Sequence, residues 1–268
     1  MKVEEINPYG QEGDKGKEVE QMFDSIARRY DFMNVAMSLG QHHHWRNKAL
    51  KEALRRLPGK NKGKFLDVAT GTGDVAFRLH ELQPEALVTG IDLSEGMLDI
   101  ARKRLLDLPK GQQELFAFGK GDSLSMPFHD GEFDLVTVAY GVRNFSNLQK
   151  GLKEMCRVLN PEGLVCIIEL STPQSKLTRM AYKFYAGKVI PWVGKRVTGD
   201  NRAYSYLPES IEACPQREEM AALLKEAGFS SVEWHSLSFG ALTYYLARPN
   251  HTGETGDSSS ADSQGSNE

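Results

Sequence analysis

Two glycines follow directly on a short apolar run near residue 70. The run spans residues 64–69, and the turn after it contains Gly71, Gly73 and Asp74, beyond which apolar residues recur at helical spacing. Glycines at a strand-to-helix turn let the backbone approach a ligand closely and present amide N–H groups at the start of the helix. With Ala76, the glycines satisfy the dinucleotide fingerprint, so both a dinucleotide and S-adenosylmethionine fit the loop.

Carboxylates around this loop favour S-adenosylmethionine. Asp92 ends the second apolar run and can accept hydrogen bonds from a ribose diol of either ligand. Asp74 would repel a pyrophosphate but suits a ligand that carries sulfonium and ammonium cations, and Asp67 adds a second negative charge. Asp122 ends the third apolar run, where an adenine amino group would need an acceptor. Simple capping of a helix by Asp74 and of a turn by Asp122 is the alternative, but together these residues predict an S-adenosylmethionine site rather than a nicotinamide site.

The elements that position these residues alternate between strands and helices. This alternation predicts an α/β fold with a doubly wound, mostly parallel sheet that helices cover on both faces. The strand-like runs are 64–69, 86–93, 114–122, 133–140 and 163–170, followed near the end by about 231–237 and 241–247, and the helical segments are 75–82, 95–108, 151–159 and 217–228.

Several segments lie outside this alternation. We predict that residues 1–17 are flexible, that 18–249 form the domain, and that 250–268, which contain no apolar residue larger than alanine, are a disordered acidic tail. Residues 18–57 are predicted to be helical. They and an insertion at about 171–216 flank the carboxyl ends of the strands, where such folds bind ligands, so the insertion is predicted to be a substrate lid.

Composition narrows the class of protein. The net charge is −3 and the tail holds four acids and no Lys or Arg, so the rest of the chain carries +1, which does not suggest a nucleic-acid binder. The polar start of the chain and the absence of an eighteen-residue apolar run argue against a secretory signal and a bilayer span. Three cysteines without a Cys-x-x-Cys spacing predict a reducing cytoplasm, no disulfide and no zinc site.

The chain also resembles the ubiquinone/menaquinone biosynthesis C-methyltransferases, over about residues 18–248. The glycine loop alone is typical of any class I methyltransferase, whereas YGVRN and YLPESI are much more specific to this family. The segments that carry the resemblance are FDSIARRYDFMN (23–34), DVATGTGDVA (67–76), GIDLSEGML (90–98), GDSLSMPF (121–128), FDLVTVAYGVRN (133–144), RVLNPEGLVCIIELSTP (157–173) and YLPESI (206–211).

The resemblance implies a Rossmann-like, seven-stranded sheet and a list of cofactor contacts. These contacts are Thr72, Asp92, Asp122 and Ser123, together with the loop glycines Gly71 and Gly73. Many family members carry a serine two residues before the glycine of the FGxRN-type motif as a further contact. This chain has Ala139 there, so that contact is lost or replaced.

Such proteins methylate a ring carbon of a polyprenylated quinol, and Arg143 and Asn144 are the candidate catalytic residues. We predict that Arg143 stabilises phenolate-like charge or orients a proton-accepting water, and that Asn144 fixes the geometry. The guanidinium stays charged, so it cannot itself act as the base. The alternative is an arginine that only braces its loop. Tyr140 is either a cation–π partner of the sulfonium or an ordinary core residue.

Two further stretches carry chemistry-bearing side chains. Three adjacent histidines, His42, His43 and His44, point in different directions on any regular element, so we expect no metal and place them in a loop near the substrate entrance. Residues 170–199 contain six basic residues, no acid and interleaved aromatics, which is typical of a membrane-surface element. A solvated basic face on a packed helix is the alternative.

The resulting prediction is S-adenosylmethionine-dependent C-methylation of demethylmenaquinol as the final step of menaquinone formation. The chain is expected to be cytoplasmic and peripheral on the inner face of the membrane, without nucleic acid or metal, and a homo-oligomer stays open. The alternatives are a ubiquinone-precursor benzoquinol, another phenolic ring, or a non-catalytic adenosyl-binding assembly module.

Overall fold

The computed structural model describes residues 2–10, 14–38, 40–58, 62–184 and 201–250, and within them seven strands form one sheet. The strand order is β3-β2-β1-β4-β5-β7-β6; β1 to β5 are parallel, and β7 is antiparallel to both of its neighbours. The predicted doubly wound, mostly parallel sheet is confirmed. The strands are β1 (Lys64–Val68), β2 (Leu87–Asp92), β3 (Phe116–Lys120), β4 (Phe133–Ala139), β5 (Leu159–Leu170), β6 (Phe229–Leu237) and β7 (Leu242–Pro249).

Helices cover both faces of this sheet. The described α-helices are α1 (Lys15–Ser38), α2 (Gln41–Arg56), α3 (Asp74–Leu82), α4 (Glu95–Leu106), α5 (Lys110–Gln113), α6 (Leu148–Val158), α7 (Lys176–Phe184), α8 (Asn201–Ala213) and α9 (Glu218–Glu226). Among the described residues, no helix has both the length and the apolar character needed to cross a bilayer.

Successive residues of the central strands enter different cores, because side chains alternate across a pleated sheet. In β1, Leu66 packs in one cluster with Met155 of α6, whereas Phe65 packs in the other with Leu50 of α2. Burial on both faces explains why these strands have continuous apolar runs rather than alternating ones. The three cysteines are free thiols.

The structure corrects the boundary between α6 and β5. The sequence predicts a helix to residue 159, a break at Asn160-Pro161 and a strand from 163. Instead α6 ends at Val158, and Leu159 already pairs with Phe133 in the sheet. Proline cannot continue a helix, but it fits the irregular start of a strand, and the register shift between the Phe133 and Leu135 pairs lies at this point.

The histidine run is also placed differently. His42, His43 and His44 lie in the first turn of α2 rather than in a loop, and α2 begins after Gly40, whose φ is +75°. A residue without a side chain accommodates this left-handed conformation easily, and the helix starts at Gln41, four residues before Trp45, where the apolar pattern begins.

Part of the segment predicted to be flexible is packed. Val3 is buried in the core, and Lys15 is a buried residue whose Nζ donates to the carbonyls of Val3 (2.5 Å) and Arg143 (3.0 Å). A buried ammonium group requires such acceptors, so the start of the chain is tied to the turn after β4. The predicted tail, apart from Asn250, and residues 185–200 of the predicted lid lie outside the described residues.

Candidate active site

The glycine loop between β1 and α3 adopts a left-handed backbone at both glycines. The φ angles are +58° at Gly71 and +85° at Gly73. A Cβ at Gly73 would lie 2.8 Å from the Phe77 ring, whereas a Cβ at Gly71 would meet no protein atom within 4 Å. Gly73 is therefore required by packing, and Gly71 leaves open space for a ligand.

Asp92 ties this loop to the end of β2. Its Oδ2 accepts a hydrogen bond from Gly71 N at 2.8 Å, and its Oδ1 accepts one from Ser94 N at 2.9 Å. Burial of the carboxyl raises the pKa of Asp92 to about 6, although both backbone bonds favour the ionised form. A carboxylate that faces a cavity in this way can still accept from ligand hydroxyls, because each oxygen has a second lone pair.

A cavity of about 420 Å³ opens at the carboxyl ends of β1, β2, β3 and β4. Its volume is within the range of small-molecule sites. Four predicted cofactor contacts, Gly71, Asp92, Asp122 and Ser123, come together there with Asn144 and with residues of α1. Thr72 instead lines a smaller neighbouring cavity of about 40 Å³ with Asp74 and Tyr140.

Asp74 is neutralised by two arginines rather than left as a bare negative charge. Arg46 of α2 and Arg104 of α4 contact its two carboxylate oxygens at 2.9 and 2.8 Å. Burial acts to raise the pKa of Asp74, but the two guanidinium groups hold it below its usual range. Arg104 also donates to Thr72 O at 2.8 Å. The cluster of Arg46, Arg104 and Asp74 therefore joins α2 and α4 to the glycine loop.

Asp67 likewise has a structural position. Its two oxygens accept from the hydroxyls of Thr70 (2.6 Å) and Thr137 (2.7 Å), and burial raises the pKa of this carboxyl to about 7. The expectation that Asp67 and Asp74 together supply negative charge to the ligand is therefore wrong, because one carboxyl is ion-paired and the other is buried beneath the loop. The cofactor prediction rests instead on Asp92, Gly71 and Asp122.

The turn after β4 holds both candidate catalytic residues, in different surroundings. Arg143 donates through Nη1 to Glu169 Oε1 at 2.8 Å and to the carbonyl of Tyr140. Asn144 lines the cavity, and its Oδ1 accepts from the hydroxyl of Tyr206 at 3.0 Å. The structure thus contains the loop-bracing contacts of Arg143, while its catalytic role stays a prediction.

Two residues beside the cavity have a strained backbone. Ala69, directly after β1, and Tyr140, directly after β4, have φ angles of +53° and +59°, which are uncommon for residues with side chains. Both residues line the cavity. Strain of this kind persists only where the surroundings enforce it, and it is often found at ligand sites.

Sequence reasoning missed several residues of the site. Asp24 of α1 accepts from Ser94 Oγ (2.5 Å) and Gly96 N (3.0 Å), which places α1 over the end of β2. Glu169 and Tyr206 support Arg143 and Asn144 through the bonds described above. All three lie inside or next to the segments that carry the family resemblance, which is the signal that could have found them.

Three side chains beside the glycine loop form one potential metal-binding set. Ligand atoms of His42, His43 and Asp74 lie within 4.8 Å of one another. Arg46 Nη2 is 3.1 Å from His43 Nδ1 and its Nη1 pairs with Asp74, so a cation there would face a fixed positive charge. Burial, followed by the neighbouring His43 and Arg46, lowers the pKa of His42 to about 4, so this imidazole is neutral at pH 7.

Solved structures of methyltransferases share the fold. A putative methyltransferase of Haloferax volcanii, solved with the Trm112 activator, superposes with a TM-score of 0.60 at 17% identity, over 85% of this chain and 98% of that one. The CurJ carbon methyltransferase gives 0.60 at 15% identity, over 92% and 65%. The chain therefore shares the Rossmann-like fold of these structures, and the cavity at the strand ends lies where such folds bind ligands.

The family follows from sequence comparison. The model of the ubiE/COQ5 methyltransferase family matches residues 11–248, and the chain belongs to this family. It is 44% identical over 245 residues to demethylmenaquinone methyltransferase of Bacteroides fragilis, covering 91% of this chain and 97% of that protein. It is 38% identical over 244 residues to the ubiquinone/menaquinone biosynthesis C-methyltransferase UbiE of Geobacter sulfurreducens, covering 91% and 90%. The prediction of an S-adenosylmethionine-dependent methyltransferase is confirmed.

Proposed function

We propose that this enzyme transfers a methyl group from S-adenosylmethionine to a ring carbon of demethylmenaquinol. The observation that carries the proposal is the cavity itself, which runs from Asp92, Gly71 and Asp122 to Asn144 in the turn after β4. Curated relatives from Bacteroides fragilis and Deinococcus radiodurans, 44% and 41% identical to this chain, are named for this reaction.

The cavity offers fitting groups for each part of the cofactor. Asp92 can accept from the ribose hydroxyls, and Gly71 leaves room for close approach of the ligand to the loop backbone. Asp122 lines the cavity and is proposed to accept from the adenine amino group. Its Oδ1 already accepts from Leu124 N at 2.9 Å, so the second oxygen is the one proposed for this contact. Ser123, which lines the same cavity, and Thr72, which lines the smaller cavity beside it, complete the set of proposed contacts.

S-adenosylmethionine supplies an electrophilic methyl group and leaves as the neutral thioether. The quinol ring carbon provides the electron pair, and that carbon then loses its proton to a base or water, which restores aromaticity. Asn144 is proposed to orient a quinol hydroxyl, because its amide lines the cavity and is anchored by Tyr206. Arg143 is proposed to stabilise the phenolate-like charge from behind this turn, with Glu169 fixing the guanidinium.

Two other substrates are considered besides demethylmenaquinol, and the proposal also includes the location of the protein. A ubiquinone-precursor benzoquinol is the first rival, because the Geobacter relative is named for both quinones. Another phenolic ring is the second, and a non-catalytic adenosyl-binding module is a weaker alternative. We further propose peripheral contact with the inner face of the cytoplasmic membrane and a reaction that needs no metal.

The decisive test is methyl transfer from labelled S-adenosylmethionine to demethylmenaquinone analogues, with and without a reductant. Label in the naphthoquinol only under reducing conditions, unchanged by a chelator, supports the proposal. Label only in the benzoquinol precursor moves the assignment to ubiquinone formation. Cofactor binding without transfer to any quinol overturns the catalytic proposal. Replacing Arg143 with alanine tests the proposed catalytic role of this residue. Normal quinol turnover in that variant would exclude the role.

A further inference from the structure

Phe239 is an aromatic side chain held out in solvent by a well-anchored turn. It lies between β6 and β7, 86% of its surface is exposed, and its backbone is left-handed with φ +58° and ψ 20°. This conformation is uncommon for a bulky residue. The turn is not loose, because Gly240 O accepts from Ser171 Oγ (2.8 Å) and from Arg217 Nη2 (3.1 Å), and Trp45 donates to Ser238 Oγ (2.8 Å).

Helix α7 presents two more exposed apolar residues. Leu177 and Met180 are 73% and 67% exposed, and their spacing of three places them on one face of the helix. Lys176 and Arg179, both exposed, flank them. The stretch from Ser171 to Phe184 contains three basic residues and no acid.

The turn and the start of α7 lie on the same side of the molecule. A Cβ at Gly240 would lie 3.4 Å from Pro173 Cα and 3.6 Å from Gln174 N, directly before α7. In the sheet, Leu170 at the end of β5 pairs with Leu242 at the start of β7. Phe239 and α7 are therefore at the carboxyl-end edge of the sheet, the edge at which the cavity opens.

The other side of α7 reaches toward the site. Tyr182 is half-buried, burial raises the pKa of its hydroxyl to about 12, and the charges of Arg143, Glu212 and Glu169 act on it. The partly buried side of α7 thus lies within the electrostatic influence of Arg143, whereas its exposed side is apolar and basic.

We propose that Leu177, Met180 and Phe239, flanked by Lys176 and Arg179, form a membrane-anchoring face that inserts into the head-group region of an anionic bilayer. Apolar side chains beside cations match the boundary between acyl chains and anionic head groups. When the protein is docked in this way, the sheet edge at which the cavity opens faces the membrane. A polyprenylated quinol would then enter the cavity from the bilayer. The inference rests on the proposed function for its substrate, but the surface itself is argued from geometry and charge.

The test is sedimentation of the full chain with neutral vesicles and with vesicles containing phosphatidylglycerol. We expect binding only to the anionic vesicles, weakened by high salt because screening removes the attraction of the basic residues. Phe239→Ser, and separately the double variant Leu177→Ser/Met180→Ser, should each weaken binding on the order of tenfold. Leu106→Ser is the matched control, because Leu106 is 71% exposed on α4. Equal pelleting with both vesicle types, or unchanged binding in both anchor variants, overturns the proposal.

Activity measurements separate this proposal from the proposed function. With a short-chain, water-soluble demethylnaphthoquinol, the anchor variants should match the wild type, and with the polyprenylated quinol in vesicles they should lose turnover. An inactive wild type that still binds anionic vesicles through these residues would overturn the function and leave the anchor standing. Self-association that these substitutions abolish in the absence of lipid would assign the face to a second copy of the chain and overturn the membrane proposal.

Discussion

Arg143 and Glu169 form a buried ion pair behind the candidate active site. Arg143 Nη1 lies 2.8 Å from Glu169 Oε1, and the two side chains are only 7% and 4% exposed. Arg143 follows β4 and Glu169 lies near the end of β5, so the pair joins the turn beside the cavity to the neighbouring strand. Removing one partner of a buried pair costs more than the pair contributes, because a desolvated charge is left behind.

Glu169→Gln is therefore expected to lower the free energy of unfolding by about 3 kcal/mol. It should also lower kcat for the quinol while leaving cofactor affinity near normal, because Arg143 loses its fixed orientation. Chemical denaturation and steady-state kinetics measure the two effects. Glu81→Gln removes a surface pair with Arg78 and is the control, with an expected effect of at most about 1 kcal/mol. Unchanged kcat in Glu169→Gln would exclude the positioning role.

Asp92→Asn should weaken S-adenosylmethionine binding on the order of 10- to 100-fold, because it removes a charged acceptor that faces the cavity and holds Gly71 N. Titration calorimetry provides the measurement. Asp99→Asn on α4 is the control, because Asp99 contacts only the exposed Arg102 among the bonds observed for the described residues. Equal affinity in Asp92→Asn and the wild type would remove Asp92 from the cofactor site.

Alanine substitutions at the two loop glycines should affect stability and cofactor binding differently. Gly71→Ala should cost only about 1 kcal/mol of stability, the strain of a left-handed alanine, because its Cβ meets no protein atom. The same methyl group should strongly weaken cofactor binding. Gly73→Ala should lower thermal stability more, because its Cβ would lie 2.8 Å from the Phe77 ring. Thermal unfolding with and without cofactor distinguishes the two, and a reversed order of the two stabilities would contradict this account.

Asp67 predicts a pH dependence of stability. Its pKa is about 7 in the folded protein against an ordinary value of 3.8, so the folded state binds the proton more tightly. The free energy of unfolding should therefore fall as the pH rises from about 4 to about 7, by at most about 1.4 kcal/mol per pH unit for this group. The difference between wild type and Asp67→Asn, measured by denaturation from pH 5 to 8, isolates the effect. A difference independent of pH would show that Asp67 is already ionised when folded.

The local spacing of apolar residues was sufficient to predict the strands and most of the helices. A largely apolar run such as the one at β4 indicates a strand that is buried on both faces of a sheet. Helical segments between such strands indicate a parallel sheet. The start of α2 was missed because His42 to His44 have no apolar period, and the irregular start of β5 was missed because proline usually ends an element. In both places tertiary packing outweighs the local preference.

The class of sheet, the glycine loop and the resemblance that led to the cofactor and to Arg143 and Asn144 could all be predicted from the amino-acid sequence. These depend on neighbours in the chain, which a pattern can record. Three features became visible only after folding: Arg46 and Arg104 neutralise Asp74, Glu169 pairs with Arg143, and Phe239 lies beside the start of α7. Those contacts join residues far apart in sequence, and the charge or exposure of a side chain is set by the groups that folding brings against it.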